Sequence, residues 1–309
     1  LYGSIFVELA LGLNFFITSQ GFSTVGMASV IIGAVVNIVL DPILIFGLNM
    51  GVKGAALATI TAQAVSAVWV VRFLCGRRTK LRIQRRLLRL DAKVLAPVLA
   101  LGLSPFIMQS TESLVNIAFN SSLKTYGGDP AVGAMTICSS IMQVFSLLFQ
   151  GLSQGAQPIV GYNYGAGQLD RVKRTFRLLF FSSLCFSCAA CAALELFPGL
   201  FVSLFNDKPE LVEIAVWALH IYAAGMFMLG VQFSCQQTFV ALGQTRVSLF
   251  LALLRKVILL IPLILLLPRF LSDQVFAVFL AEPVSNIVGG LACYITMLCT
   301  VYRKLGQEA

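Results

Sequence analysis

The chain has 309 residues, of which 58% are hydrophobic and 11% are charged, and its formal net charge is +9. A soluble domain carries about 25% charged residues, so this composition excludes a water-soluble globular protein, a disordered chain and a collagen-like chain. The mean hydropathy of +0.90 is that of a polypeptide that lies in a lipid bilayer.

Nine apolar stretches follow one another along the chain, each long enough to be considered as a membrane-spanning helix. They cover residues 4–18, 25–47, 53–74, 94–123, 131–160, 175–201, 212–241, 247–267 and 274–301. The breaks between them contain turn residues, such as Gly127-Gly128-Asp129-Pro130. Barrel strands would be about ten residues long with alternating polarity. We therefore predict an all-α integral membrane protein, a polytopic helical bundle with nine spans.

The basic residues predict the orientation of these spans. Sixteen of the 22 Lys and Arg residues follow the third, fifth, seventh and ninth stretches, and an excess of basic residues marks the cytoplasmic side. The densest run lies at 76–91, where we predict a linker between two bundles that rests on the membrane surface as an amphipathic helix. The positive charge is explained by this orientation, and we expect no nucleic-acid partner.

Polar side chains inside the spans form stripes at helical spacing, which places the members of each stripe on one helix face. The stripes comprise Gln109, Glu112, Asn116 and Asn120 in the fourth span, Gln143 with several Ser and Gln residues in the fifth, and His220, Gln232 and Gln236 in the seventh. Three such stripes on neighbouring helices predict one water-filled cavity. For any single Ser or Gln, a hydrogen bond between packed helices is the competing interpretation.

Glu112 is the strongest candidate for a functional side chain. It lies near the middle of the fourth span, where a carboxylate is costly unless it faces a partner or a water-filled cavity. A carboxylate that binds a proton or another cation at this depth suits a coupled transporter. Asp41, one turn after Asn37, and Glu282 are each followed by proline. A helix break at Asp41 therefore competes with a gating role.

The sequence contains no HExxH, Walker A or GxGxxG motif, so it lacks these signatures of an enzyme or an ATP-driven pump. Cys185, Cys188 and Cys191 recur every three residues without a neighbouring His or carboxylate. We interpret them as small packing residues and expect no metal site. The protein is therefore predicted not to be an enzyme.

Several segments resemble the MATE (multidrug and toxic compound extrusion) transporter family, particularly its MepA-like branch. The residues QPIVGYNYGA at 157–166, followed by RVKR at 171–174, are similar to the cytoplasmic end of the family's eighth helix. The residues NIVLDP at 37–42 and GVKGAALAT at 51–59 resemble the segment that joins its fifth and sixth helices. Ala241-Leu242-Gly243 and Ala281-Glu282-Pro283 fit the tenth and twelfth helices.

The family has twelve helices in two lobes, so the resemblance implies that the nine spans are helices four to twelve and that the chain is truncated at its N-terminus. Residues 1–75 would then be a partial N-lobe, 76–91 the basic cytoplasmic linker between the lobes, and 92–309 a complete C-lobe. The resemblance also implies a multi-pass protein of the bacterial inner (plasma) membrane, which we expect to act as a monomer in the lipid bilayer.

The implied function is secondary active transport: export of amphiphilic or cationic drugs by alternating access, in exchange for H+ or Na+, with no cofactor besides this coupling ion. Glu112 matches the acidic residue of the family's seventh helix. The expected substrate- and ion-binding residues are Glu112, Gln109, Asn116, Gln143, Asn37, Asp41, Gln236 and Glu282. The tenth helix has Gln236 and other glutamines but no acid in mid-span, so the identity of the coupling ion stays open.

Two alternatives stay open. A flippase of the same superfamily would carry lipid-linked oligosaccharides or peptidoglycan precursors, and its cavity would need several Arg or Lys side chains to bind pyrophosphate. Only Arg255 and Lys256, which lie well inside a span, are candidates for this role. A structural or channel-like membrane protein would use Glu112 only as a packed, hydrogen-bonded acid.

Overall fold

The computed structural model describes residues 3–76, 79, 81, 83, 91–206 and 208–302, without the side chains of residues 94, 97, 100, 101, 104, 105 and 302. The described residues are helical and contain no strand, which confirms the predicted all-α class. The chain divides into two compact units, unit 1 at 1–92 and unit 2 at 93–309. Most of the linker predicted at 76–91, and residues 303–309 of the predicted C-lobe, lie outside the described residues.

The described part of unit 1 consists of three helices. Helix α1 covers Ser4–Ser19 and α2 covers Ser23–Pro42, which continues into a π-helical turn at Ile43–Gly47. Helix α3 covers Gly51–Cys75. All three helices pack against one another, and their large apolar side chains face outward in many places, as expected where lipid replaces water as the solvent.

Small and polar residues join the helices of unit 1. The Asn14 side-chain amide donates hydrogen bonds to the Gly26 carbonyl at 3.1 Å and to the Ser29 hydroxyl at 3.0 Å. The Ser66 hydroxyl of α3 donates to the Ser29 carbonyl of α2 at 2.9 Å. Gly33 leaves room for the Ser66 hydroxyl. Such contacts between small and polar residues are the usual basis of helix packing in membranes, where burial of apolar surface gives little driving force.

Unit 2 contains the remaining helices. They are α4 Ala92–Gly165, α5 Leu169–Leu196, α6 Pro198–Ser203, α7 Pro209–Ala223, α8 Phe227–Ala241, α9 Thr245–Leu253, α10 Ile261–Phe270 and α11 Gln274–Thr296. A π-helical turn at Leu254–Leu260 joins α9 to α10, and a second one at Met297–Tyr302 follows α11. Helix α4 is interrupted at Gly128, whose backbone is non-helical with φ 68° and ψ −162°.

Within the described residues, six helices are long and apolar enough to span a membrane, or seven if the pair α7 and α8 is counted as one span. The prediction of nine spans differs for two reasons. Helix α1 has only 16 residues, and α4 contains both the fourth and the fifth predicted spans on the two sides of Gly128. The predicted seventh span is the pair α7 and α8, which bends by 52°.

An aromatic core holds α4, α5 and α8 together in unit 2. Phe149 of α4 is fully buried and stacks on Phe233 of α8, with ring centroids 5.6 Å apart and an interplanar angle of 5°. Phe186 of α5 meets the same ring edge-on at 5.0 Å. Close by, the Ser187 hydroxyl donates to the Phe227 carbonyl at 2.8 Å, which ties α5 to the start of α8.

The bend between α7 and α8 lies against α11. A Cβ atom on Gly225, which lies at the bend, would be 2.6 Å from the Pro283 Cα atom and 2.8 Å from the Pro283 carbonyl oxygen. Only glycine permits this contact between two backbones. The proline of α11 is therefore fixed against the bend, and the residues that flank it have defined neighbours inside unit 2.

Candidate functional site

Four charged side chains meet inside unit 2: Glu112 on α4, Arg255 and Lys256 in the π-helical turn between α9 and α10, and Glu282 on α11. Each of the two bases binds one of the two acids. Single π-helical turns are rare and occur frequently at functional sites. Here the turn presents two consecutive basic residues to carboxylates on two different helices, and the formal charges of the four groups cancel.

The pair of Arg255 and Glu282 is the more buried of the two. The Arg255 Nη1 atom lies 3.5 Å from the Glu282 Oε1 atom, with side-chain exposures of 9% and 12%. The same Nη1 atom donates a hydrogen bond to the Asn286 side-chain oxygen. The Ser285 hydroxyl donates to the Arg255 carbonyl at 2.9 Å. The α11 residues of this cluster are three and four positions apart, so they share one helix face.

Gly289 extends this face by one turn and accommodates the Arg255 stem. A Cβ atom at position 289 would be 2.6 Å from the Arg255 Cγ atom and 2.8 Å from its Cδ atom. The aliphatic part of Arg255 therefore lies in a groove that α11 leaves open, while the guanidinium group is directed to Glu282 and Asn286. Packing and hydrogen bonding together fix the arginine.

The pair of Lys256 and Glu112 is more accessible. The Lys256 ammonium group binds the Glu112 Oε1 atom, and the side chains are 16% and 46% exposed. Lys256 also interacts electrostatically with Glu282, so it lies under the influence of both carboxylates. The Glu112 side chain remains open enough for a ligand to reach its carboxylate. This pair can therefore exchange partners, whereas Arg255 is enclosed.

The other residues that were predicted for the site in unit 2 form no described contact with this charge cluster. Gln109, Asn116 and Gln143 are exposed, and within the described part of the chain none of them has a hydrogen bond to Glu112. Gln236 is buried in α8, where its side-chain nitrogen has no hydrogen-bond partner in the described structure. His220, from the same predicted stripe, binds Glu195 of α5 through Nδ1 at 2.7 Å.

Unit 1 contains a separate polar pocket. A cavity of about 220 Å³ lies among its helices. Its polar lining residues are Ser29, Asn37, Thr59, Gln63 and Ser66. The side-chain nitrogen of Asn37 and one carboxylate oxygen of Asp41, one turn further along α2, are buried without a hydrogen-bond partner among the described residues. A cavity of this size with several polar groups can hold a cation or water molecules.

The basic half of the charge cluster was missed when the sequence alone was considered. The prediction treated Arg255 and Lys256 only as candidate pyrophosphate ligands and Glu112 as unpaired. A signal was present, because two acids and two bases occur deep within apolar spans, and charged residues inside a membrane are almost always paired. Which base binds which acid depends on the packing of α4, α11 and the π-helical turn, which periodicity does not reveal.

Comparison with known proteins identifies relatives over nearly the whole chain. The MatE family model matches residues 105–266, just over half of the chain. Curated relatives include the multidrug export protein MepA of Staphylococcus haemolyticus, 26% identical over 94% of this chain and 64% of the relative. MepA of Staphylococcus aureus is 25% identical over the same shares. The chain thus spans about 64% of the length of these relatives.

Solved structures agree with this assignment. A ligand-bound structure of the MATE multidrug transporter DinF-BH is 36% identical, with a TM-score of 0.86 over 97% of this chain and 67% of that one. An outward-facing MATE family transporter of the MOP superfamily has the same fold, with 20% identity and a TM-score of 0.91 over 99% of this chain and 68% of that one. The family match and the likeness to DinF-BH together show that the chain belongs to the MatE family, the family of the MATE transporters.

Proposed function

We propose that the protein is a cation-coupled antiporter that exports amphiphilic or cationic compounds from bacteria by alternating access. One observation carries this proposal: Glu112, on a membrane-spanning helix, keeps a half-exposed carboxylate that a ligand can reach. Family membership supplies the context, since the curated relatives are named multidrug export proteins.

In this proposal Glu112 binds the positive charge of the substrate. A carboxylate in a low-dielectric environment attracts an organic cation far more strongly than it would in water. Gln109 and Asn116 lie on the same face of α4 at exposed positions, where they can donate or accept hydrogen bonds from the substrate. Gln143 adds an amide from the second half of α4. Gln236 offers a buried nitrogen that needs a partner.

Glu282 acts through its neighbour. It is largely buried and holds the Arg255 guanidinium group, so we assign it a positioning role and not direct contact with the substrate. Without this carboxylate, Arg255 would place an uncompensated positive charge near the site and would repel a cationic substrate.

The coupling ion is assigned to unit 1. Asn37 lines the polar cavity, and Asp41 adds a carboxylate oxygen without a hydrogen-bond partner in the described structure. Protonation would turn this Asp41 oxygen into a hydrogen-bond donor. Alternatively, Na+ would bind to this oxygen and to the side-chain oxygen of Asn37. Either ion would satisfy a group whose burial is otherwise costly. No cofactor besides H+ or Na+ is proposed.

The charge cluster favours export over flipping of lipid-linked sugars. A pyrophosphate group carries several negative charges and needs free Arg or Lys side chains. In unit 2 the guanidinium of Arg255 and the ammonium of Lys256 both bind carboxylates. A cationic substrate suits this pattern, because it can replace a base that is already bound to an acid.

The predicted architecture completes the proposal. Residues 1–75 are assigned to an N-lobe, 76–91 to the linker and 92–309 to a C-lobe, which gives the two compact units a functional interpretation. The protein is proposed to work as a monomer in the plasma membrane, since each pair of charges that the proposal uses is formed within one chain.

The test uses the full-length protein in proteoliposomes. We expect ethidium transport that depends on an imposed H+ or Na+ gradient, and a loss of tenfold or more in rate for Glu112→Gln. Glu210→Gln, at an exposed position in the first turn of α7, is the matched control and should transport like the wild type. Transport by Glu112→Gln at the wild-type rate would contradict the role of Glu112, and no gradient-dependent transport at all would contradict the function.

A further inference from the structure

The contacts of Lys256 point to a role that the proposed function does not require. This lysine interacts with two carboxylates: its ammonium group binds Glu112, and it is influenced electrostatically by Glu282. Its side chain is 16% exposed, so it is held inside unit 2 and does not extend into solvent. A base that interacts with two acids can leave one of them without becoming a lone buried charge.

We infer that Lys256 is a built-in counter-ion for Glu112, which occupies the carboxylate until an organic cation displaces it and which excludes Na+ from the same position. This inference rests on the proposed function, because it specifies the class of ligand that Glu112 accepts. In addition, Lys256 allows unit 2 to accept an organic cation at Glu112 and to reject Na+.

Tethering explains why Na+ fails to compete. The Lys256 ammonium group is tethered to the same fold and binds Glu112 without the cost of association from solution. Na+ would have to displace this group and find oxygen ligands to replace its hydration shell. The described residues contain no group of three or more His, Cys, Asp or Glu side chains that could hold a metal ion. While Lys256 is in place, it neutralises the Glu112 carboxylate and so disfavours a bare inorganic cation there.

An organic cation has an advantage that Na+ lacks. Its apolar groups make dispersion contacts with the cavity wall in addition to the charge interaction. Met108, one turn before Glu112 on the same face of α4, is half-buried and can make such a contact. The displaced Lys256 keeps the electrostatic partner Glu282. The exchange therefore leaves neither the lysine nor Glu112 without a charged partner.

Removal of the lysine should allow Na+ to bind at Glu112. The four charges of the cluster cancel in the structure, so Lys256→Gln leaves one net negative charge at Glu112. That charge should attract Na+. A second substitution, Glu112→Gln, removes the charge again. The Na+ binding gained in the first variant should disappear in the double variant if Glu112 is its location.

The experiment measures equilibrium binding of radiolabelled Na+ to purified full-length protein in detergent. We expect Lys256→Gln to bind more Na+ than the wild type, with the extra Na+ displaced by tetraphenylphosphonium, and the Glu112→Gln/Lys256→Gln double variant to return to the wild-type level. Lys124→Gln, at an exposed position on α4, is the matched control and should bind like the wild type. No gain of Na+ binding in folded Lys256→Gln would overturn the inference.

A second comparison covers the case in which Lys256→Gln does not fold. Because the lysine already occupies Glu112, Glu112→Gln alone should bind as much Na+ as the wild type. A loss of Na+ binding in this variant would show that Glu112 binds Na+ in the presence of Lys256 and would overturn the inference. Neither measurement involves transport. The variants could show the expected differences in Na+ binding while the protein shows no gradient-driven export. That result would count against the proposed function and not against the role of Lys256.

Discussion

The buried pair of Arg255 and Glu282 allows a quantitative prediction about stability. Arg255→Met keeps a flexible chain in the groove at Gly289 but removes the guanidinium group that binds Glu282 and Asn286. Glu282 is then a buried carboxylate whose remaining electrostatic partner is Lys256. Glu282→Gln is the milder change: it leaves the Arg255 charge without its carboxylate, but Arg255 retains the hydrogen bond to Asn286.

The expected magnitude follows from the burial of both partners. Removal of one member of a buried ion pair costs about 3–5 kcal/mol, because the other charge is left uncompensated. For a domain of 150–250 residues, 1 kcal/mol shifts the midpoint of thermal unfolding by about 2–4 °C, so Arg255→Met should lower the midpoint by roughly 6–20 °C. The double variant Arg255→Met/Glu282→Gln removes both charges and should be more stable than Arg255→Met alone.

Thermal unfolding of purified full-length protein in detergent measures these differences. We expect the loss in the double variant to be well below the sum of the losses in the two single variants, since residues in contact do not act independently. Lys124→Gln controls for the loss of a surface charge. Additive losses would refute the reasoning, as would a midpoint for Arg255→Met that is indistinguishable from that of the wild type.

Further predictions concern the close contacts around this pair. Gly225→Ala should lower the unfolding midpoint by the equivalent of about 1–3 kcal/mol, because its Cβ would be 2.6 Å from the Pro283 Cα atom. Gly151→Ala, with no atom within 4 Å of the added Cβ, is its control, and equal losses in both would contradict the packing described. Gly289→Ala should reduce ethidium transport by displacing the Arg255 stem, and full transport would show that the arginine tolerates another position.

Much of the fold follows from local patterns. Long apolar stretches predict membrane helices because an unpaired backbone polar group is costly in lipid, and the stretches match helices of the structure. The residues Gly127-Gly128-Asp129-Pro130 predict a break, and the backbone indeed leaves the helical conformation at Gly128. Local sequence did not predict the bend between α7 and α8, where Gly225 packs against Pro283 of another helix.

The candidate site was predictable in part, because polar and charged groups are costly in lipid. The cost of a carboxylate in the membrane singled out Glu112 without reference to any other helix. Its pairing with Lys256, and that of Glu282 with Arg255, depend on how three separate elements pack. Only the presence of both acids and bases deep within apolar spans indicated that such pairs exist.

Affinity for a cationic substrate tests the central claim most directly. Tetraphenylphosphonium binding to the purified full-length protein can be measured by equilibrium dialysis for the wild type, Glu112→Gln and the control Glu210→Gln. Loss of a charged partner in a binding site typically costs about 2 kcal/mol or more, so Glu112→Gln should bind at least about tenfold more weakly, while Glu210→Gln should bind like the wild type. Equal affinity of Glu112→Gln and the wild type would contradict the assignment of Glu112 as the substrate-binding carboxylate.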